Sequence, residues 1–436
     1  MKKSLSVTDI FALGFMTFAF FLGAGNIIFP PLAGMLAGEH YIAAMAGFLV
    51  TAVGLPLIGI IAVAVAGGGW QGLTRYLPTS VATVMAVLIF IIIGPAFAAP
   101  RAGLVAYQMG VVPFLAEAEQ STLTLFSIAF FAIALLFAWS RGKLIDMIGK
   151  FLTPVLFIAL ALLAVAVFIN PQSAIVAPQG DYINHAFTTG FLEGYNTMDT
   201  FAALMFGMLI VDVIRKKGIT DEKATCKYLM LAGVIAAAGL AFVYISLFYL
   251  GATSSTLAAE ATNGGAILAV YVHALFGPIG QVILSSIVML ACLTTVIGLI
   301  GACADYFSSL TRWSYKTWAL IMAITCAVVA NVGLEQLIAI SVPVLFALYP
   351  VAIALVTLTF LSQRFKQPEL AYRSVLLVSL LFSLIDAAKV LGFNMDLFSV
   401  LPGFAMGMAW VLPTTLAIIA NLVVVKKVTV KQPEAA

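Results

Sequence analysis

Phe20-Phe21-Leu22-Gly23-Ala24-Gly25-Asn26, with Pro30-Pro31 just behind it, interrupts the first long apolar run of the chain. Gly23 and Gly25 remove the side chains on either side of Ala24, and Asn26 adds a polar group to an otherwise hydrophobic stretch. In water such a segment reads as a turn. In lipid, every unpaired backbone group is costly, so an interruption at membrane depth marks a cavity or a protein-lined site. Gly-x-Gly also serves as a close contact between packed membrane helices, and both readings stand on this motif alone.

Composition decides the solvent. Hydrophobic residues make up 63% of the 436 positions and charged residues only 9%. A soluble fold cannot hide that much apolar surface, so lipid takes the place of water. The apolar runs reach 18 residues or more, the length a helix needs to span the hydrocarbon core, and no short alternating strands of a barrel appear. The expected class is therefore an all-α polytopic membrane protein. The net charge of +3 says little by itself, and with no basic tract in the chain no nucleic-acid partner is expected. The first run, after Lys2 and Lys3, is too long for a signal peptide and has no small-residue cleavage site, so it reads as a retained span.

Twelve spans are expected, near 8–36, 41–66, 79–110, 121–139, 144–169, 189–213, 225–251, 279–308, 317–332, 335–360, 371–392 and 400–425. With both termini in the cytoplasm, all but Arg101 and Lys389 of the 21 lysines and arginines fall on the cytoplasmic side. The opposite loops carry Glu117, Glu119, Asp181, Glu260 and Glu335. That asymmetry is the positive-inside pattern; a wrong span count would scramble it.

The sixth run is interrupted as well, at Gly190-Phe191-Leu192-Glu193-Gly194-Tyr195-Asn196-Thr197-Met198-Asp199-Thr200. Spans one and six are the first members of two five-span blocks, and an odd number of spans inverts the second block relative to the first. Interrupted segments at matching places in two such halves point to a transporter's binding site. A broken helix presents amides at one half and carbonyls at the other, which suit a carboxylate and a cation; a zwitterionic amino acid carries both charges. The pairing of the breaks favours a site over packing. A third constellation, Ala291-Cys292-Leu293-Thr294-Thr295, sets two hydroxyls in the apolar eighth span. They can bond back to their own helix or offer oxygens to a hard cation.

Lone membrane charges are functional candidates by default. Asp199 is placed to hold an ammonium or a proton, or to satisfy freed backbone groups. Glu193 lies nearer the outer boundary. Arg101, behind Pro100, is expected to pair with an acid or to snorkel. Asp386 and Lys389, three apart, are expected to form a local ion pair. Asp212 reads as a neighbour of Arg215, Lys216 and Lys217, and Asp305 as a cap or partner near the end of span eight. His40, His185 and His273 stand singly in or near loops, and Cys226, Cys292, Cys303 and Cys326 read as small buried hydrophobes.

The Phe21–Asn26 motif with Pro30-Pro31, the Glu193–Asp199 stretch and the Thr294-Thr295 pair resemble those of the branched-chain amino acid:cation symporters of the BrnQ type, across essentially the whole chain. The resemblance implies the LeuT-like fold of the amino acid–polyamine–organocation superfamily. Its inverted repeats would be residues 1–170 and 189–360, with 371–425 outside them. It implies that the amides of Gly23, Ala24 and Gly25 hold the substrate carboxylate and that carbonyls within Tyr195, Asn196, Thr197, Met198 and Asp199 receive the ammonium. Ala19, Leu22, Ala291, Thr294 and Thr295 would hold Na+, with Li+ or H+ as alternative coupling ions. Asn26 is grouped with the substrate-binding residues, and whether it also builds a second ion site with the carboxylate, as in some relatives, stays open. Glu193 and Asp199 depart from the pattern of the LeuT-like relatives by adding acids to the sixth-span break. A branched-chain preference comes from this resemblance alone.

An intramembrane enzyme lacks its signature here: no GxSxG elbow, no HExxH and no metal-ligand spacing occur. A channel is disfavoured by two unlike breaks in one chain rather than a repeated filter. The expectation is a bacterial inner-membrane symporter for a small amino acid, embedded in the lipid bilayer; the competing reading is a carrier of another small solute.

Overall fold

The computed structural model describes residues 4–115, 117–139 and 153–423. Lys2, Lys3, Arg141, Lys143, Lys150, Lys426, Lys427 and Lys431 of the charge pattern, and the start of the fifth run, lie outside the described residues. Among the described residues the regular structure is helical throughout.

Helix α1 (Val7–Phe21) starts at a capping box, in which the Ser6 hydroxyl accepts the Asp9 N–H and the Asp9 carboxylate accepts the Ser6 N–H. It stops at Leu22 (φ −70°, ψ 84°), Gly23 is extended, and α2 (Ala24–Ala37) restarts the run. Helices α3 (Tyr41–Leu49) and α4 (Leu55–Val65) are joined by a π-helical turn, Val50–Gly54. A short α5 (Trp70–Leu73) leads to α6 (Thr79–Ile91), a second π-helical turn (Ile92–Ala96) and α7 (Ala98–Gly110). Pro95 has no N–H to donate and Gly94 leaves helical geometry (φ −88°, ψ −115°), which breaks the ladder there. Next come α8 (Gln120–Ala138) and α9 (Thr153–Ile169).

Helices α10 (Tyr182–Glu193) and α11 (Asp199–Lys216) flank the 3₁₀ turn Gly194–Thr197 and meet at a bend of 43°. The remainder is α12 (Glu222–Ala252), α13 (Gly264–Leu310), α14 (Tyr315–Ala330), α15 (Leu334–Leu361), α16 (Pro368–Val390) and α17 (Val411–Val423).

Among the described residues helices stand within each expected span, but the twelfth begins at Val411, with turns in place of its first eleven residues. Seven helical stretches among the described residues are long and apolar enough to cross a membrane, and the bent α10–α11 pair adds an eighth; α1, α9, α14 and α17 are shorter apolar helices. The expected eighth span begins where α13 bends, at Gly277 (φ +64°) and Pro278. The leg Gly264–Phe276 before that bend is helical although it was not expected to be.

Packing holds both breaks at the centre. α2 lies against α12 and α13, α7 against α13, and α10 against α3. The α3–α10 crossing is backbone to backbone: a methyl on Gly190 would sit 1.9 Å from the Ala44 carbonyl oxygen, so only glycine fits. Large apolar side chains such as Leu125, Ile128, Leu136 and Ile158 point outward, as on helices solvated by lipid.

The peripheral charges rearrange the sequence expectations. Asp386 and Lys389 form no ion pair. Asp386 accepts the Ala409 N–H (3.3 Å), and Lys389 Nζ donates to the carbonyls of Phe404 (3.0 Å) and Ala405 (2.9 Å). Both tie α16 to the segment before α17, which offers unpaired backbone groups that a neighbouring acid does not need. Lys217 pairs with Asp9 at 2.5 Å, linking the ends of α11 and α1 rather than joining Asp212. Asp305 is exposed near the end of α13. His40 bonds the Tyr182 carbonyl (2.9 Å) and His273 the Gln281 side chain (3.1 Å). Three cysteines are buried, Cys226 is half-buried, and all four are free.

Candidate functional site

The first break releases a defined set of backbone groups. In a continuous helix the Gly23 N–H would donate to the Ala19 carbonyl; here it donates to Asn26 Oδ1 at 3.0 Å. The last carbonyls of α1, from Ala19 to Leu22, are therefore freed, and the first amides of α2 face the gap. Asn26 reads its own helix start with its oxygen and reaches outward with its amide nitrogen.

The second break is one turn later than the Gly190 start of its sequence motif, at Gly194–Met198. Met198 sits in the left-handed region (φ 62°), the single non-glycine residue to do so among the described residues. The amides that would close the helix go elsewhere. Asp199 N–H turns to Thr197 Oγ1 (3.4 Å), and Thr200 N–H donates to the hydroxyl of Tyr349 on α15 (3.1 Å). The Asn196 carbonyl thus loses its helical donor. It faces the first break, 3.3 Å from where a Cβ on Gly25 would stand.

A buried network joins the two breaks. Asn26 Nδ2 donates to Asp199 Oδ2 at 2.7 Å, the Tyr244 hydroxyl of α12 donates to the same oxygen at 2.8 Å, and Asn26 and Tyr244 also contact each other. All three side chains are buried. Two donors converging on one oxygen suit a charged carboxylate.

A cavity of about 30 Å³ lies between the breaks, lined by Gly23, Ala24, Gly25, Asn26, Thr197, Met198 and Asp199 together with Arg101, Phe206 and Thr295. It has room for a water or two and is too small for an amino acid, so the site is contracted here. On one side it is sealed by Phe20 stacked on Phe206 (5.0 Å between ring centres) and by Phe21 edge-on to Phe206. On the other side Phe29, beneath the Arg101 guanidinium at 5.1 Å, separates it from a vestibule of about 490 Å³. Glu193, Asn196, Phe29 and Lys389 line that vestibule, and Glu193 accepts the Asn196 amide at 2.9 Å.

The third constellation meets the first break. Thr295 Oγ1 bonds the Leu22 carbonyl (3.4 Å) and the Ala291 carbonyl (3.0 Å), and Thr294 Oγ1 bonds the Ala291 carbonyl (2.8 Å). Leu22, Ala291, Thr294 and Thr295 are thus gathered in one oxygen cluster between α1 and α13. Ala19 is buried on the last turn of α1, its carbonyl among those freed. No group of three or more His, Cys, Asp or Glu among the described residues has metal-binding geometry. The donors on offer are hydroxyls and carbonyls, which suit a hard monovalent cation and not a transition metal.

Tyr195 points away from the cavity, stacked on Tyr349 with 4.3 Å between ring centres. Arg101, Tyr244 and Tyr349 were not read as site residues. Arg101 is 2% exposed, and its Nε and Nη1 have no partner among the described residues, so it neither pairs nor snorkels as expected. A lone charge in an apolar span was the signal available for it; the tyrosines gave none.

Solved structures share this architecture at low identity. They include MhsT in complex with L-phenylalanine (TM-score 0.57, 15% identity, 94% of this chain and 97% of that one). A nucleobase–cation symport-1 family transporter with bromovinylhydantoin bound matches at TM-score 0.59 and 15% identity, over 97% and 92%. A Na+-coupled sialic acid symporter matches at TM-score 0.60 and 13% identity, over 95% and 90%. The fold is the LeuT-like transporter fold.

The family model described as branched-chain amino acid transport protein matches residues 6–428, and the chain belongs to that family. The branched-chain amino acid transport system 2 carrier protein of Pseudomonas aeruginosa is 45% identical over 95% of both chains. The branched-chain amino acid permeases BraB of Bacillus subtilis (41%, over 95% of this chain and 94% of the relative) and BrnQ of Escherichia coli K12 (40%, over 97% of both) are similar too. The family and these relatives are transporters and not enzymes.

Proposed function

We propose that the chain is a secondary active symporter that imports leucine, isoleucine and valine into a bacterium, coupled to Na+, by alternating access. The observation that carries this reading is the meeting of three independent sequence features, the two breaks and the Thr294-Thr295 pair, around one buried cavity. The relatives' names supply the substrate class. The charge pattern of the loops supports insertion in the inner membrane with both termini in the cytoplasm, which makes the vestibule face outward.

The chain's own groups divide the task. The α2 amides at Ala24 and Gly25 take the substrate carboxylate, favoured by the helix dipole. Asp199 and the freed Asn196 carbonyl take the ammonium. Leu22, Ala291, Thr294 and Thr295, with the Ala19 carbonyl, would hold the coupling cation, which supplies the free energy of its gradient. For import, α1–α4 and α10–α12 rock against α6–α9 and α13. The outer Phe29 layer opens first; the inner Phe20–Phe206 stack and the Asp9–Lys217 pair separate second.

A second reading, proton coupling, has one observation in its favour: Asp199 is the single acid lining the cavity among the described residues. Labelled leucine uptake into proteoliposomes separates the cases. An inward Na+ gradient that drives uptake inhibited by isoleucine and valine supports the reading. Uptake driven by a proton gradient and indifferent to Na+ moves the coupling to Asp199. No uptake by folded protein under either gradient rejects the substrate class.

A further inference from the structure

The two ends of a zwitterion need opposite partners, and the cavity holds one charge of each sign. Asp199 answers the ammonium. The opposite charge is Arg101, on α7, whose guanidinium lies over the first break: its Nη2 is 2.8 Å from the point where a Cβ on Gly25 would stand. It is buried, lines the cavity, and keeps Nε and Nη1 without partners among the described residues. No carboxylate lies within 4.0 Å of it among those residues, Asp199 included. A buried, unpaired cation is costly to fold around, and intramembrane charges that persist mark substrate or ion pathways. Its contact with the Phe29 ring at 5.1 Å engages a face of the guanidinium and leaves the in-plane Nε and Nη1 donors unused.

We propose that Arg101 is the charged receptor for the substrate carboxylate, binding it bidentately together with the α2 amides. The inference rests on the amino-acid reading above and deepens it. A guanidinium matches a carboxylate in geometry as well as charge, so the site prefers free amino acids over their neutral amides. Because Arg101 also stacks on Phe29, a carboxylate drawn to the guanidinium engages the layer that separates cavity and vestibule.

The test uses purified full-length protein and reads affinity from ligand-induced thermal stabilisation with two probes, leucine and leucinamide, which differ in the carboxylate alone. Wild type is expected to bind leucine about 100-fold tighter than leucinamide. In Arg101→Gln the ratio falls to near one, because leucine weakens while leucinamide affinity stays within about threefold of wild type, which also shows the pocket to be intact. Arg101→Lys keeps the charge without the fork and falls between. An Arg101→Gln protein that retains the wild-type ratio overturns the proposal and leaves the substrate reading standing. A wild type that binds none of the three branched-chain amino acids overturns both.

Discussion

The two breaks solve one problem in different ways. The first spans two residues, is built on glycine, and caps itself: Asn26 answers the Gly23 N–H three residues away. The second spans five residues and carries its left-handed position on Met198, a non-glycine. It is held from a distance, by Tyr349 of α15 on the Thr200 N–H and by Tyr244 of α12 on Asp199. A self-capped break depends less on its neighbours, although Asn26 also donates to Asp199 and the Leu22 carbonyl accepts from Thr295. A break held by other helices feels their movement, which places the second break in a position to report substrate to the scaffold.

If the breaks divide the labour this way, the second is the more fragile. Asp199→Asn removes the charge on which Asn26 and Tyr244 converge. Leucine affinity is expected to fall roughly 100-fold, from about 3 kcal/mol for a charge-assisted hydrogen bond. Binding measured on the purified variant checks it, and near-wild-type affinity would break the comparison at its strongest point. Met198→Val forces a β-branched residue into the left-handed region and should cost about 2 kcal/mol of stability, visible as a lowered unfolding midpoint.

Gly25→Ala probes the first break. Its methyl meets Arg101 Nη2 at 2.8 Å, which can swing aside, and the Asn196 carbonyl at 3.3 Å, which is backbone and yields less. Leucine affinity should drop about tenfold, on the order of 1.4 kcal/mol, with the unfolding midpoint little changed; an equal loss of stability would mean the glycine serves packing alone. Tyr349→Phe is the mildest probe. Losing the acceptor of the Thr200 N–H should cost about 1 kcal/mol, measured as a small drop in the midpoint with transport retained.

The sequence carried the first break almost completely because its determinants are local: Gly23, Gly25 and Asn26 lie within one turn. The second break falls at Gly194–Met198, inside the Gly190–Thr200 stretch that the sequence marks, whereas Gly190 itself lets α3 and α10 touch at the Ala44 carbonyl. The Thr294-Thr295 pair was readable as a type of chemistry, but its contact with the Leu22 carbonyl depends on how α1 and α13 cross. Tyr244 and Tyr349 were beyond reach, because a tyrosine in an apolar helix looks like any other core aromatic until its hydroxyl finds a partner. Arg101 was visible as an anomaly and read as a paired or snorkelling charge; that it stands unpartnered in the cavity is a property of the fold. Asp386 and Lys389 show the reverse error, where a helical spacing suggested a pair and unsatisfied loop backbone took both groups.

The central claim is that the first-break oxygens, the Thr294-Thr295 hydroxyls and the amino-acid pocket form one coupled site. Leucine binding to the purified protein as a function of Na+ concentration tests it most directly, in wild type and in Thr294→Ala with Thr295→Ala. Na+ is expected to raise leucine affinity in wild type, leucine to raise Na+ affinity by the same factor, and both effects to vanish in the double variant while leucinamide and leucine still bind. Leucine affinity independent of Na+ in wild type, or Na+ dependence intact in the double variant, would contradict it.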